Sequence, residues 1–149
     1  MILHLQPAFR DAQSPKAPVL LCVDDEQLPL LASAHVLASH GYEVIATDNT
    51  DQAVRLLTEH VIDAVVTDYE MPGLTGGRFA AHVKSTRLPL PVVLHSGCTD
   101  IPQWALRHVD VVAPKGQPIA RFLADVDSIL PQHSVHSMRP GECSHQVAA

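Results

Sequence analysis

The sequence predicts an α/β fold: a doubly wound, five-stranded parallel sheet of flavodoxin-like order 2-1-3-4-5, with helices on both faces. Three observations carry this expectation. Apolar runs without alternation, such as Val19-Leu20-Leu21-Cys22-Val23, mark strands covered on both sides. Stretches with helical spacing separate these runs through short connections, which implies right-handed βαβ crossovers. Chemically able residues stand where the runs stop. Asp24-Asp25, Asp68, Ser96 and Lys115 each terminate one, and in open parallel sheets ligands bind beyond the carboxyl ends of the strands.

The 149 residues leave room for one core, and 46% hydrophobic with 17% charged residues is ordinary globular composition. Residues 1–17 mix Pro, Gln, Ser and Ala without periodicity and read as a flexible N-terminal arm. Residues 18–130 form the folded domain. From Pro131 the chain turns to Gln, His, Ser, Pro and Gly, so residues 131–149 are expected to be a disordered tail. The net charge of −6 and the lack of a Lys/Arg cluster disfavour direct nucleic-acid partners. Three widely spaced cysteines form neither a disulfide framework nor a paired-cysteine zinc site. With no signal peptide and no apolar run of membrane-spanning length, a cytoplasmic protein with no membrane partner is expected.

In chain order, the first strand is Val19 to Val23, ending at Asp24-Asp25-Glu26. The first helix follows: Pro29 suits its first turn, Leu30, Leu31, Ala34, Leu37 and Ala38 make its stripe, and Gly41 suits its C′ position. Tyr42 to Thr47 is the second strand, and Glu43 interrupts its apolar pattern, which predicts a sheet edge. Asn49 or Thr50 caps the second helix, with Ala53, Leu56, Leu57 and His60 at helical spacing. Ile62 to Thr67 is the third strand. Thr75 caps the third helix, bearing Phe79, Ala80 and Val83, and the run Leu88-Pro89-Leu90-Pro91 must stop it. Val92 to His95 is the fourth strand, closing on Ser96-Gly97. Asp100-Ile101-Pro102 opens a fourth helix with room for only about two turns. Val109 to Pro114 is the fifth strand, placed at an edge because proline cannot donate to a ladder. The last helix begins near Gln117-Pro118 and carries Ile119, Phe122, Leu123, Val126 and Leu130 at helical spacing. Phe79, Phe122 and Trp104 all fall on apolar helical positions and are expected in the core.

Asp68 is the reactive candidate, set on a ledge between a buried strand and the turn Met71-Pro72-Gly73. In the expected order the first and third strands are neighbours, so Asp24, Asp25 and Asp68 converge. Carboxylates that meet at one strand edge repel each other, and an oxygen-only donor set suits Mg2+. Asp68 is then a nucleophile beside a Lewis acid, with Lys115 as a second positive charge and Ser96 as a hydroxyl donor to a phosphoryl oxygen. Any one of these residues alone is commonly a helix cap or a solvated strand end. Their coincidence at four strand ends points to aspartyl-phosphate chemistry.

From Val19 to about Leu130 the chain resembles the CheY-like receiver domain of two-component response regulators. The resemblance rests on Val-Asp24-Asp25-Glu, on Asp68-x-x-Met-Pro-Gly-x-x-Gly, on Ser96 ending the fourth strand and on Lys115 ending the fifth. It implies that Asp68 accepts a phosphoryl group from a histidine kinase or phosphotransfer protein. It also implies that Asp25 and Asp68 ligate Mg2+ directly, Asp24 through water, and Glu70 through its backbone carbonyl. Ser96 and Lys115 would hold the phosphoryl group. Two positions depart from the family: Gly116 follows Lys115 where proline is usual, so a trans bond is expected, and Val112 stands where a switching aromatic is common. Three functions compete: a phosphoacceptor that signals by protein contacts and is no enzyme beyond self-phosphorylation and self-dephosphorylation, a phosphorylation-independent scaffold, and an aspartyl-phosphate phosphohydrolase. Glu70 stands where the hydrolase would need its general acid, but no substrate-covering insertion accompanies it.

Overall fold

A computed structural model describes residues 1–9, 15–86 and 90–130. The expected disordered tail, including His133, His136, Cys143 and His145, lies outside the described residues, as do 87–89 of the helix-stopping run. In chain order the elements are β1 (Ile2–Leu5), β2 (Val19–Val23), α1 (Gln27–Ser39), β3 (Glu43–Thr47), α2 (Thr50–Glu59) and β4 (Ala64–Thr67). They continue with α3 (Gly76–Thr86), β5 (Val92–Ser96), α4 (Gln103–Leu106), β6 (Val111–Pro114) and α5 (Ile119–Ser128).

The sheet has six strands in the order β1-β3-β2-β4-β5-β6, and every pair except β1 with β3 is parallel. The five expected strands are β2 to β6. Two expectations are corrected by the sixth. Residues 2–5, read as part of a loose arm, form an antiparallel strand in which Leu3 and Leu5 face the core while Ile2 and His4 face out. The second strand of the sequence, β3, is therefore covered and is not an edge. Glu43 interrupts the apolar pattern because its carboxylate meets His4 Nε2 across that pairing, at 2.7 Å. The other margin is as expected: β6 is an edge strand, with Val112 and Pro114 exposed.

The period of two along each strand divides the core into two layers. Leu20 and Cys22 of β2 join Leu30, Ala34 and Leu37 of α1 and Phe122 and Val126 of α5 on one face. Val19, Leu21 and Val23 join Leu56 and Leu57 of α2 and Phe79 and Val83 of α3 on the other. Local signals operate as their chemistry predicts. Gly41 takes φ +108° just past α1, the Asn49 side chain accepts from the Gln52 amide at 3.0 Å, and Thr75 Oγ1 accepts from the Arg78 amide at 3.3 Å. Beyond the layers, Asp127 of α5 accepts from the Tyr42 hydroxyl and pairs with His40 Nε2, which ties α5 to the turn after α1.

Trp104 corrects another expectation. Phe79 and Phe122 are buried, but Trp104 is 44% exposed. The reason is the length of α4: four residues make one turn, too short to turn a whole indole inward, and the ring instead lies over Gly77 of α3.

Candidate functional site

Parallel pairing of β2 with β4 sets Val23 opposite Thr67, so the next residues on each strand, Asp24 and Asp68, leave the sheet together. Their amides remain tethered to it: Asp24 N donates to Thr47 O at 3.3 Å, and Asp68 N to Val23 O at 2.9 Å. Asp24, Asp25 and Asp68 each offer a carboxylate oxygen within 4.8 Å of the others, with Asp24 and Asp68 buried and Asp25 exposed. Lys115 arrives from the end of β6, its own amide donating to Ser96 O at 2.9 Å. Its ammonium lies 2.8 Å from Asp24 Oδ2 and 3.4 Å from Asp68 Oδ2. Gly116 then turns the chain away at φ +89°, the freedom expected of glycine where the family commonly has proline.

The second oxygen of each buried carboxylate is held locally. Asp24 Oδ1 accepts from the Glu26 amide at 2.9 Å, and Asp68 Oδ1 from the Tyr69 amide at 2.8 Å. These bonds fix both side-chain rotamers and leave the Oδ2 atoms turned towards Lys115. Burial alone would pull the Lys115 ammonium down, but the hydrogen bond and charge of Asp24, with the charge of Asp68, hold it above the ordinary lysine range. It is cationic at any physiological pH. Three carboxylates around one ammonium leave an excess of two negative charges, which one divalent cation would neutralise. The donors are all oxygens, so the set fits a hard cation such as Mg2+ and offers no soft ligand.

Ser96 is buried at the end of β5, next to Lys115 through the backbone, and its Oγ accepts from the Cys98 amide at 3.1 Å. Its hydroxyl proton is the part left for a ligand. Glu70 is exposed in the loop after Asp68 and its carboxylate is not part of the acidic cluster among the described residues. Only its backbone carbonyl was expected to take part.

Several contributors escape sequence reasoning. Thr67 Oγ1 donates to the Asp68 carbonyl at 3.0 Å, and the Gly76 amide donates to Tyr69 O at 2.8 Å, so the reactive loop is pinned from both ends. Beneath Asp24 and Asp68 lies a cavity of about 10 Å3, lined also by Cys22, Ser33, Thr67 and His95. Burial, helped by the charge of Asp24, pushes the Cys22 thiol up to about 12, so it is inert as a nucleophile there. For Cys22, Thr67 and His95 the advance signal is a place at or next to a strand end, Gly76 is visible as the last residue of the Asp68 motif, and Ser33, within α1, has none.

Comparison with known proteins agrees with this geometry. The family model for the response regulator receiver domain matches residues 20–111. The virulence sensor protein BvgS of Bordetella pertussis is 35% identical over 83 residues, which make up 53% of this chain and 7% of that protein. The two-component response regulator ORR5 of Oryza sativa subsp. japonica is 37% identical over 83 residues, 54% of this chain and 62% of that protein. The match thus spans less than two thirds of either relative. Among solved structures, a CheY-like response regulator receiver domain protein from Methanospirillum hungatei superposes with a TM-score of 0.74 at 16% identity, covering 80% of this chain and 98% of that one. The response regulator TrrA of Thermotoga maritima, solved in complex with Mg2+ and BeF, gives 0.72 at 22% identity, covering 76% and 99%. With the family model matched over most of the sheet, and Asp24, Asp25, Asp68 and Lys115 gathered at its carboxyl end, this chain belongs to the response regulator receiver domain family.

Proposed function

We propose that the protein is a phosphoacceptor of a two-component phosphorelay, taking a phosphoryl group onto Asp68 from a histidine kinase or phosphotransfer protein. Receiver domains pair with histidine kinases and generally bind Mg2+ at an acidic pocket. The observation that carries the proposal here is the Lys115 ammonium shared between Asp24 and Asp68 within a cluster of three carboxylates. In the transfer, an Asp68 carboxylate oxygen bonds to phosphorus, the P–N bond to the donor imidazole breaks, and the leaving nitrogen keeps its electron pair. Lys115 meets the negative charge on the phosphoryl oxygens, and the Ser96 hydroxyl can donate to one of them. Asp24, Asp25, Asp68 and the Glu70 carbonyl would hold Mg2+, which when bound supplies further charge neutralisation. The protein acts in the cytoplasm by changing its contacts with other proteins, and it is a regulatory phosphoacceptor with no external substrate to turn over. The test is intact-mass measurement after incubation with a small phosphodonor and Mg2+. One added phosphoryl group on Asp68 is expected, and none in chelator. No addition, or addition at another residue, overturns the proposal.

Metal binding gives a second prediction. Titration with Mg2+ should reveal one weak site, and Asp25→Ala should weaken it by roughly tenfold or more, since loss even of a group that only orients a metal's ligands costs that much. Equal affinity in the two proteins would remove Asp25 from the site.

A third prediction concerns read-out. Val112 has neither ring nor hydroxyl, so no aromatic rotamer switch operates at that position. Ser96 instead leads through Gly97 and Cys98 into α4, whose single turn is a weak element suited to switching. Trp104, the sole tryptophan, sits on that turn and is partly exposed. Its emission is expected to shift on addition of beryllofluoride and Mg2+ to the wild type and to stay fixed in Ser96→Ala. An unchanged spectrum in the wild type would place the response elsewhere.

A further inference from the structure

His95 is a polar side chain set into β5 one residue before Ser96, on the face shared with α1 and α5. Its Nδ1 lies 2.9 Å from the carbonyl oxygen of Ala113, its ladder partner on β6. A carbonyl only accepts, so Nδ1 carries the proton in this contact. The ring stacks on Phe122 of α5, with centroids 4.3 Å apart and planes at 29°. It also lines the small cavity beneath Asp24 and Asp68.

The strand it grips needs support. β6 is an edge strand, with β5 as its one neighbour, so a single ladder holds it. Pro114 carries no N–H and contributes no donor to that ladder. Gly116, one residue past Lys115, has the backbone freedom of a φ of +89°. Lys115 therefore stands between a residue that cannot donate and a residue that does little to restrain it. On the strand side its backbone is held by its own amide bond to Ser96 O, at 2.9 Å, and by the His95 contact with Ala113, two residues earlier.

We infer that His95 is a positioning residue for phosphoryl transfer: by donating Nδ1–H to the Ala113 carbonyl it fixes the end of β6 so that Lys115 reaches both Asp24 and Asp68. This rests on the phosphoacceptor function proposed above and deepens it. Burial draws the His95 imidazole below the ordinary histidine range against the opposing pull of the Ala113 bond, and the neutral ring still donates through Nδ1. The donor, rather than the aromatic bulk, is the property that matters.

Two variants separate those properties. His95→Phe keeps a ring for Phe122 and removes the donor, whereas His95→Asn places an amide N–H close to where Nδ1 stood and removes the ring. Phosphoryl incorporation from a small phosphodonor in saturating Mg2+ is expected to slow by about fivefold in His95→Phe, the effect of one lost neutral hydrogen bond, and His95→Asn is expected to recover most of that rate. Saturating Mg2+ keeps differences in metal affinity out of the comparison, because a Lys115 drawn away from Asp24 and Asp68 changes the charge at that site. An independent readout needs no phosphorylation: the 15N-resolved signal of the Lys115 ammonium should broaden or move towards a free lysine in His95→Phe and return in His95→Asn. A merely structural role predicts the reverse ranking, with His95→Phe near wild type and His95→Asn impaired, and that result overturns the inference. If the wild type takes up no phosphoryl group, the phosphoacceptor proposal fails, and the Lys115 signal alone then decides whether His95 positions the lysine.

Discussion

Asp68→Asn is expected to take up no phosphoryl group under conditions that load the wild type completely. The substitution is nearly isosteric, and its amide oxygen can still accept from the Tyr69 N–H that now holds Asp68 Oδ1. What it removes is the nucleophile, because a neutral amide oxygen does not form a stable bond to phosphorus under these conditions. It also removes one of three crowded negative charges while leaving Lys115 its nearer partner, Asp24 at 2.8 Å. Loss of uptake should therefore come with an unfolding midpoint equal to or above that of the wild type. Phosphoryl uptake by the variant would reject Asp68 as acceptor. A fall in the midpoint would show instead that the Asp68 carboxylate contributes net stability through Lys115.

The second large effect is expected from a methyl group. A Cβ built on Gly76 would stand 1.9 Å from the Asp68 carbonyl oxygen, 2.7 Å from Tyr69 Cα and 2.8 Å from the Asp68 carbonyl carbon. All three atoms are backbone, so no side chain can swing aside. Gly76→Ala must separate the start of α3 from the reactive loop, breaking the 2.8 Å bond from Gly76 N to Tyr69 O. A destabilisation of about 3 kcal/mol is expected, at the upper end for overpacking, read as a lower denaturant midpoint. Phosphoryl uptake should fall as well, since the loop that moves carries the acceptor. Gly97→Ala is the control: nothing lies within 4 Å of its Cβ and its φ is not positive, so its midpoint should stay near wild type. Equal stability in all three proteins would mean that the Asp68 loop yields freely, contrary to the pinning described above.

These residues differ in how legible they are in the sequence. Asp24, Asp68, Ser96 and Lys115 are readable because each stops an apolar run, and parallel pairing carries all such stops to one rim. The edge position of β6 is readable from Pro114 for an equally local reason. β1 is not: four residues with two inward leucines carry too little pattern, and its stability comes from pairing with a strand some forty residues away, about which local spacing says nothing. The same pairing reverses the meaning of Glu43, which looks like an edge marker until His4 stands beside it. Trp104 misleads because helical spacing assumes a helix long enough to have a buried side. In His95 and Gly76 the residue type is visible, but its purpose lies in what another segment brings against it.

The direction of β1 bears on how the protein should be handled. Because it runs against its neighbour β3, it begins at the rim where the other strands finish: Met1 N lies 3.0 Å from Asp48, just past β3, and Asp48 accepts from Gln27 Nε2 at the start of α1. An affinity tag or fluorescent fusion joined ahead of Met1 would emerge at the rim of the sheet that carries Asp24 and Asp68. α5 finishes at the opposite end of the sheet, near the His40–Asp127 pair, so a label carried on the carboxyl side of that helix departs from there. Assays of phosphotransfer between purified partners are best run with the label at that end.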